Sequence, residues 1–267
     1  MLAIEQCPVC QGPGDWYTDR GDYKIFRCTN CTLFYTSPVP DAEELKTLYR
    51  DEWSVPAGQT YIHRRKLTRA WRLGLRARKL RRLSSGNSLL EIGCGPGDFL
   101  RGARAAGFTT IVGVEPGDGE AEYARSLGFE ICNQMFLEVD FADARFDVIV
   151  SRQVIEHVPD PIEFLTTAAA LLRPGGCIML ETPCSSHFKA RLAGKDWRYL
   201  WPPWHLNLFN EKSFAALFEK CGLEAVFFRR HLRKTYVTAV ARLASDSCHI
   251  YDVGQHDAAS LTAGNRD

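Results

Sequence analysis

The sequence predicts an α/β protein in which a doubly wound parallel sheet follows a small metal-binding module. Apolar and helical stretches alternate over residues 86–241, a rhythm typical of parallel sheets. Two CxxC pairs fall within the first 31 residues, which is typical of a metal-binding ribbon. We expect a helical connector at residues 41–85, an insertion over the sheet at residues 183–210, and a mobile tail at residues 242–267.

The ten cysteines divide into two tight pairs and six single residues. Cys7 with Cys10, and Cys28 with Cys31, have the spacing at which four thiolates surround one zinc ion. Four cysteine ligands leave no open position, so the zinc is predicted to be structural and to hold residues 1–40 as a zinc ribbon. Two disulfides are the alternative, and the expected intracellular location disfavours them.

The bulk composition excludes several classes of protein. The net charge of +1 argues against a polyanion binder acting through its whole surface. The first residues lack the basic and apolar regions of a signal peptide, and no stretch approaches the roughly 20 apolar residues of a membrane-spanning helix. We therefore expect a cytoplasmic protein.

Charge is nevertheless unevenly distributed along the connector. DAEELKTLY begins with the N-cap residue Asp41, and residues 62–82 then hold ten Lys/Arg and no acid. The rest of the chain has 23 Lys/Arg against 32 Asp/Glu, a net of −9. This cationic helix either packs on the acidic remainder or docks a phosphate-bearing substrate, an acidic carrier protein or RNA. Its predicted apolar face consists of Leu67, Ala70, Trp71, Leu75 and Leu80.

A glycine loop follows the first predicted strand of the sheet, in LLEIGCGPGDFL. Gly93, Gly95 and Gly97 lie between this strand and a helix, which is the arrangement of a nucleotide-type site at the carboxyl end of a strand. A dinucleotide fingerprint needs glycine at position 98, where this chain has Asp98. An acid there disfavours a pyrophosphate and is compatible with S-adenosylmethionine, which carries a sulfonium and no phosphate.

A second strand, residues 109–115, ends in Glu115. This carboxylate follows Gly93 by 22 residues, the spacing at which an acid accepts hydrogen bonds from ribose hydroxyls. The loop, the acid and the alternation that follows therefore predict an adenosine-containing cofactor.

Four motifs carry a resemblance to a known family. LLEIGCGPGDFL, VGVEPG, FDVIVSRQVIEHVPDP and LLRPGG resemble, in order and spacing, the class I S-adenosylmethionine-dependent methyltransferases over about residues 86–240. The CxxC ribbon and the PPWHLNLF segment resemble a zinc-ribbon-bearing subgroup similar to bacterial sugar and small-molecule methyltransferases. The resemblance implies a Rossmann-like seven-stranded class I methyltransferase sheet, S-adenosylmethionine as cofactor and methyl transfer as activity.

The resemblance also implies a set of cofactor contacts. The glycine loop would flank the methionine part with support from Glu91, Glu115 would hold the ribose, and backbone groups after the fourth strand would meet the methionine end. The full set is Glu91, Gly93, Gly95, Gly97, Glu115, Pro116, Gln134, Met135, Ser151 and Arg152.

Two histidines are candidates for the chemistry. His157 follows Glu156 after the fourth strand and either takes part in the reaction or fixes the loop. His205 lies in WPPWHLNLF, where an apolar pocket would lower the pKa of its imidazole and keep it basic at neutral pH. It either takes a proton or anchors the substrate, or it only packs the insertion. The EHVPDP run resembles the ubiquinone-type O-methyltransferases, which carry a glutamate three residues before the Glu-His pair, and some of them use that trio for a metal. This chain has Gln153 at that position, which disfavours a catalytic metal at Glu156 and His157.

The insertion suggests the kind of acceptor. Its cationic groups could meet a phosphate, its aromatic groups could stack on a ring, and Asn207 could share the exposed side of His205. We predict methyl transfer to a small polar metabolite such as a sugar, a nucleotide-sugar or another phosphate-bearing molecule. An RNA or protein methyltransferase and a non-catalytic binding module are the alternatives. The cationic groups of the insertion are His187, Lys189, Arg191 and Lys195, and its aromatic groups are Trp197, Tyr199, Trp201 and Trp204.

Overall fold

The computed structural model describes residues 1–48 and 67–244. Its strands form two sheets, and the order of elements is as follows. The strands are β1 (Gly14–Arg20), β2 (Tyr23–Cys28), β3 (Phe34–Ser37), β4 (Ser88–Ile92), β5 (Thr110–Val114), β6 (Glu130–Cys132), β7 (Phe146–Arg152), β8 (Leu172–Pro183), β9 (Asn207–Leu208), β10 (Leu223–Arg230) and β11 (Tyr236–Leu243). The helices are α1 (Ala42–Leu48), α2 (Leu67–Arg81), α3 (Asp98–Ala105), α4 (Asp118–Ser126), α5 (Pro161–Ala170), α6 (Phe188–Ala193) and α7 (Glu211–Lys220).

The larger sheet has seven strands in the order β10-β11-β8-β7-β4-β5-β6. Strands β6, β5, β4, β7 and β8 are parallel, and β11 and β10 close the sheet in antiparallel pairing. The predicted fold class, with its seven strands and its closing antiparallel pair, is confirmed. The reversal of strand order between β4 and β7 creates the crevice at which doubly wound sheets bind ligands.

Helices cover both faces of this sheet, so the parallel strands are apolar almost throughout. Leu90 and Ile149 pack with Phe164 of α5 on one face, while Leu89 and Val148 pack with α2, α3 and α4 on the other. This two-sided burial explains why the strand sequences are continuous apolar runs. No helix of the described residues is long and apolar enough to cross a membrane.

Strand β8 begins earlier than the sequence predicts. We expected a helix to residue 172, a stop at Arg173 and a strand at residues 177–182, but α5 ends at Ala170 and β8 starts at Leu172. The strand starts early because Leu172 pairs with Phe146, after which the register shifts.

Helix α2 buries a different face from the predicted one. Leu73, Ala77 and Leu80 pack against α3, whereas Leu75 is 39% exposed. The prediction was right at Leu80 and wrong at Leu75, because the close approach of Gly74 to Gly102 fixes the contact between the two helices. The side chains of the other three predicted members, like residues 62–66 and the tail from residue 245, lie outside the described residues.

The second sheet joins the ribbon to the insertion. Its order is β1-β2-β3-β9, so the ribbon hairpin gains a fourth strand from residues that follow β8 by more than twenty positions. Phe34 pairs with Leu208 and Tyr35 with Asn207. The ribbon therefore packs against the segment that carries His205. The predicted N-cap at Asp41 is confirmed, since its carboxylate accepts from the backbone N–H of Glu44 and its own N–H donates to the Glu44 side chain.

Candidate functional site

The cofactor end of the site begins where β4 ends. Gly93, Gly95 and Gly97 all have positive φ (71°, 52° and 79°), a backbone region that costs glycine little. A Cβ on Gly93 would lie 2.3 Å from Val154, so this position needs glycine also for the close approach of the loop after β7. Around Gly95 there is open space, which leaves room for a ligand against the backbone.

Glu115 holds this loop in place. Its carboxylate accepts hydrogen bonds from the backbone N–H of Gly95 (2.7 Å) and of Gly117 (2.9 Å). Burial raises the pKa of Glu115 to about 7, although these two hydrogen bonds oppose the rise. A carboxylate has about four lone-pair positions, so Glu115 can still accept from hydroxyls of a bound ribose.

Asn133 follows β6 and precedes two of the predicted cofactor contacts. Asn133 was missed by the sequence reasoning, and its side chain donates to the carbonyls of Glu115 and Pro116 at 3.0 and 3.1 Å. Asn133 therefore fixes the turn after β5. The sequence pattern that could have predicted this role is an amide residue directly after β6. Gln134 is exposed and Met135 is half-buried at the start of a short 3-10 helix, so both remain candidate adenine contacts.

Unpaired polar atoms lie at the strand ends beside the loop. Glu91 is 2% exposed, and among the described residues neither its Oε2 nor the buried hydroxyl of Ser151 has a hydrogen-bond partner. Burial raises the pKa of Glu91 to about 8, and the charge of Arg152 opposes this rise. An acceptor and a hydroxyl left unpaired at this crevice fit a ligand with an amino and a carboxyl group, as S-adenosylmethionine has.

Arg152 uses its side chain and not only its backbone, contrary to our expectation. Its guanidinium lies 3.8 Å from Glu91 and 3.4 Å from Glu181. Glu181 also pairs with Arg76 of α2 at 2.6 Å. Burial alone would raise the pKa of Glu181, but the hydrogen bond with His231 and the charges of Arg152 and Arg76 hold it well below the usual range. Within α2, Arg76 is thus a cation that packs on an acid of the sheet.

The residues predicted to carry the chemistry are grouped around two histidines. His157 ends a short 3-10 helix after β7, and His205 follows the Pro-Pro of the insertion, with 5.0 Å between the ring centres. Nδ1 of His157 bonds to the carbonyl of Trp204, and Nδ1 of His205 bonds to the carbonyl of Tyr199 at 2.9 Å. Because a carbonyl only accepts, Nδ1 of each ring carries the hydrogen, and Nε2 carries the lone pair.

Both imidazoles are neutral at pH 7. Burial lowers the pKa of His157 to about 3, with the neighbouring His205 as the next contribution. Burial also lowers the pKa of His205, as the sequence predicted, against the hydrogen bond to Tyr199. A neutral imidazole with its lone pair at Nε2 can accept a proton or bind a cation.

Glu156 completes this buried group. It is 1% exposed, its Oε2 accepts from the Thr182 hydroxyl at 2.8 Å, and its Oε1 has no hydrogen-bond partner in the part of the chain that the structure describes. Burial raises its pKa to about 8, so the carboxyl is mostly protonated at pH 7. Glu156, His157 and His205 each offer one atom, and these atoms lie within 4.8 Å of one another.

The cysteine-bearing ribbon holds the backbone around His205. The Thr36 N–H donates to the carbonyl of Leu206 (2.9 Å), and its hydroxyl donates to that of His205 (3.3 Å). On the other side, the Leu206 N–H donates to the carbonyl of Glu156 at 2.7 Å. Asn207 is 1% exposed and donates to Val158, so the expectation that it shares an exposed side with His205 is wrong.

The four ribbon cysteines converge on one point. Cys7 and Cys31 lie 3.5 Å apart at their sulfurs, Cys10 and Cys28 lie 3.4 Å apart, and all four sulfurs lie within 4.8 Å of one another. Tetrahedral zinc with Zn–S bonds near 2.3 Å separates its sulfurs by about 3.8 Å. The donor set therefore fits a structural zinc ion.

The cationic and aromatic groups of the insertion separate into different roles. His187 caps α6 through Nδ1 and donates through Nε2 to the backbone carbonyl of His231. Lys189 donates to the backbone carbonyl of Arg233, and Lys195 lies over the ring of Trp16. Of the four predicted phosphate contacts, Arg191 lines a cleft described below. Trp197 and Trp204 are buried, Tyr199 is half-buried, and Trp201 is 53% exposed with its ring centre 6.1 Å from that of His205.

Tyr236 at the start of β11 was not singled out from the sequence. Its hydroxyl lies 3.4 Å from that of Tyr199, and the Tyr199 ring in turn lies 5.4 Å from His205. Burial, followed by the contact with Tyr199, raises the pKa of Tyr236. No local sequence pattern marks Tyr236, because it lies near Tyr199 and His205 only in the folded structure.

Comparison with known proteins identifies the family of the chain. A family of methyltransferase domains matches residues 61–226. The chain belongs to this family. Its curated relatives include the ubiquinone biosynthesis O-methyltransferase of Cereibacter sphaeroides, which is 31% identical over 156 residues, or 53% of this chain and 62% of that protein. A probable S-adenosylmethionine-dependent methyltransferase of Mycolicibacterium smegmatis is 29% identical over 142 residues, or 52% of this chain and 53% of that protein.

Solved structures show the same fold. The methyltransferase CcbJ of Streptomyces caelestis has a TM-score of 0.52 at 16% identity, covering 65% of this chain and 90% of that chain. The plantazolicin methyltransferase BpumL, solved with SAH, has a TM-score of 0.53 at 12% identity, covering 66% of this chain and 84% of that chain. The chain spans about six tenths of the length of the Cereibacter relative.

Proposed function

We propose that the protein transfers a methyl group from S-adenosylmethionine to a hydroxyl of a small polar molecule, with His205 as the general base. The observation that carries the proposal is a neutral imidazole at the carboxyl end of the sheet, held through Nδ1 so that Nε2 keeps its lone pair. A hydroxyl must lose a proton when it is methylated, and such a base can accept it.

The cofactor would lie along the glycine loop. Gly93, Gly95 and Gly97 would line the methionine part, Glu115 would accept from the ribose hydroxyls, and Glu91 with Ser151 would meet the amino and carboxyl groups. Pro116, Gln134 and Met135 would border the adenine. When bound, S-adenosylmethionine supplies an electrophilic methyl group. The work of the chain is to exclude water and to align the acceptor.

His205 would take the proton of the acceptor at Nε2 while the methyl group bonds to the acceptor oxygen and leaves the cofactor sulfur. His157 would hold the Trp204 carbonyl and so the backbone beside His205. Protonated Glu156 would keep the pocket free of negative charge, and Tyr199 and Tyr236 would offer hydroxyls to a polar acceptor.

We propose further that the acceptor is a sugar, a nucleotide-sugar or another phosphate-bearing molecule. The cationic cleft beside the insertion supports this choice. The exposed cations at the end of α2 do not contribute, because Arg78, Arg81 and Arg82 line a cavity with residues 84–87, at the amino end of β4. That is the end of the sheet opposite the glycine loop.

The test is transfer of a labelled methyl group from S-adenosylmethionine to panels of hydroxyl-bearing metabolites, with and without phosphate. We expect labelling of a small molecule, and about 10²-fold slower turnover in His205→Ala with unchanged affinity for S-adenosylhomocysteine. The control variant is Arg229→Ala, because Arg229 is exposed, whereas the nearby His231 contacts Glu181. Labelling of RNA or protein alone, or full turnover in His205→Ala, would contradict the proposal.

A further inference from the structure

A cleft of about 880 Å³ opens between the ribbon, the insertion and the end of the larger sheet. Its apolar walls are Tyr17 and Phe34 from the ribbon, Trp197 and Leu200 from the insertion, and Phe228 from β10. None of these residues belongs to the proposed cofactor set. The flat side chains from three segments give a ring-shaped ligand surfaces to lie against.

The charge of the cleft is strongly positive. Among its lining residues there is one acid, Glu211, and Arg230 pairs with it at 2.6 Å. Three further cations line the cleft, namely Arg27, Arg191 and Lys212. The amino end of the ten-residue helix α7 also borders it and adds the positive end of its dipole.

We propose that this cleft binds the phosphoryl end of a small ring-bearing ligand. Arg191 and Lys212 hold the phosphoryl oxygens, and the ring lies against the aromatic walls, Trp197 among them. The Trp197 ring lies 5.4 Å from Tyr199, whose carbonyl fixes His205, so the cleft borders the segment that holds the base. The assignment of this ligand as the methyl acceptor rests on the proposed function, whereas the binding itself does not.

Calorimetry on the full chain, saturated with S-adenosylhomocysteine, tests the proposal with uridine monophosphate, uridine and inorganic phosphate as probes. We expect uridine monophosphate to bind, and uridine to bind at least about tenfold more weakly because it lacks the charge-assisted contacts. The double variant Arg191→Ala, Lys212→Ala should weaken binding of the nucleotide at least about tenfold. Arg229→Ala, an exposed cation on β10 outside the cleft, is the matched control and should bind as the wild type does.

Three results would overturn the proposal. They are no saturable binding of the nucleotide, equal binding in the double variant and the control, or displacement of the nucleotide by S-adenosylhomocysteine. Affinity for S-adenosylhomocysteine shows that each variant is folded. If S-adenosylhomocysteine binds and the nucleotide does not, the cleft proposal fails alone. If both bind and no methyl group is transferred to any panel compound, the proposed function fails and the site stands.

Discussion

The site has a proposed cofactor end, around the glycine loop and Glu115, and a proposed acceptor end, around His205. The two ends are assembled in different ways. The glycine loop and Glu115 come from one continuous stretch, residues 88–117, and the Glu115 carboxylate accepts hydrogen bonds from backbone N–H groups of that stretch. The acceptor end draws Thr36, Glu156, His205 and Tyr236 from four distant parts of the chain. The cofactor end should therefore tolerate damage to the ribbon, whereas the position of His205 should not.

We predict that the four ribbon cysteines hold a structural zinc ion, and its removal should affect the two ends most differently. A chelator should unfold residues 1–40, because the ribbon has a small core and four free thiols do not replace the metal. Without β3, the backbone of His205 loses its bonds to Thr36, and turnover should fall at least about 10²-fold. Affinity for S-adenosylhomocysteine should change less than about threefold.

Zinc added back should restore turnover. Circular dichroism and zinc content follow the ribbon, and calorimetry follows the cofactor. An equal loss of cofactor affinity would show that the two ends are one cooperative unit.

The cofactor end should respond to pH through Glu115. Its pKa is about 7 without ligand, and ribose hydroxyls bond best to the ionised form, so binding is favoured above this pKa and lost below it. Affinity for S-adenosylhomocysteine should fall about tenfold from pH 8 to pH 6. Glu115→Gln should weaken binding about tenfold at pH 8, because the amide cannot accept from both backbone N–H groups.

The exposed acid Glu130 on the neighbouring strand β6 provides the control. Glu130→Gln should retain wild-type affinity and its pH dependence. An unchanged pH dependence in Glu115→Gln would assign the titration to another group.

A single ribbon hydrogen bond should have a smaller effect. Thr36→Val removes the hydroxyl that donates to the His205 carbonyl and keeps the backbone pairing. One such bond contributes about 1 kcal/mol, so we expect turnover to fall severalfold with unchanged cofactor affinity. Thr29→Val removes a comparable bond to Pro13 on the exposed side of the ribbon and should leave turnover unchanged. Equal effects of both variants would indicate a loss of ribbon stability only.

Glu156→Gln should have the smallest effect. Because the pKa of Glu156 is about 8, the carboxyl is already mostly neutral at pH 7, and the amide oxygen can still accept from Thr182. Turnover at pH 7 should stay within about twofold of the wild type. A loss of about 10²-fold would mean that Glu156 acts as an anion, either as a base or as a metal ligand.

The same contrast explains what the sequence could predict. The glycine loop, Glu115 and the cysteine pairs are local sequence patterns. As these patterns predict, the loop lies between β4 and α3, Glu115 follows β5, and the four cysteine sulfurs converge. Thr36, Arg76 and Tyr236 reach the site only through tertiary contacts, and nothing in their local sequence marks them. Asn207 was misjudged for the same reason, because its burial depends on β3 and on the loop at Val158.

The most direct test of the account is the single-turnover rate as a function of pH, in the wild type and in His205→Gln, at saturating cofactor. Burial keeps the pKa of His205 below 6.5, so the wild-type rate should rise through a pKa below that value and stay level at neutral pH. His205→Gln should be about 10²-fold slower at pH 7 and should lack this rise. A variant that is as fast as the wild type, or that keeps the same rise, would contradict the assignment of His205 as the base.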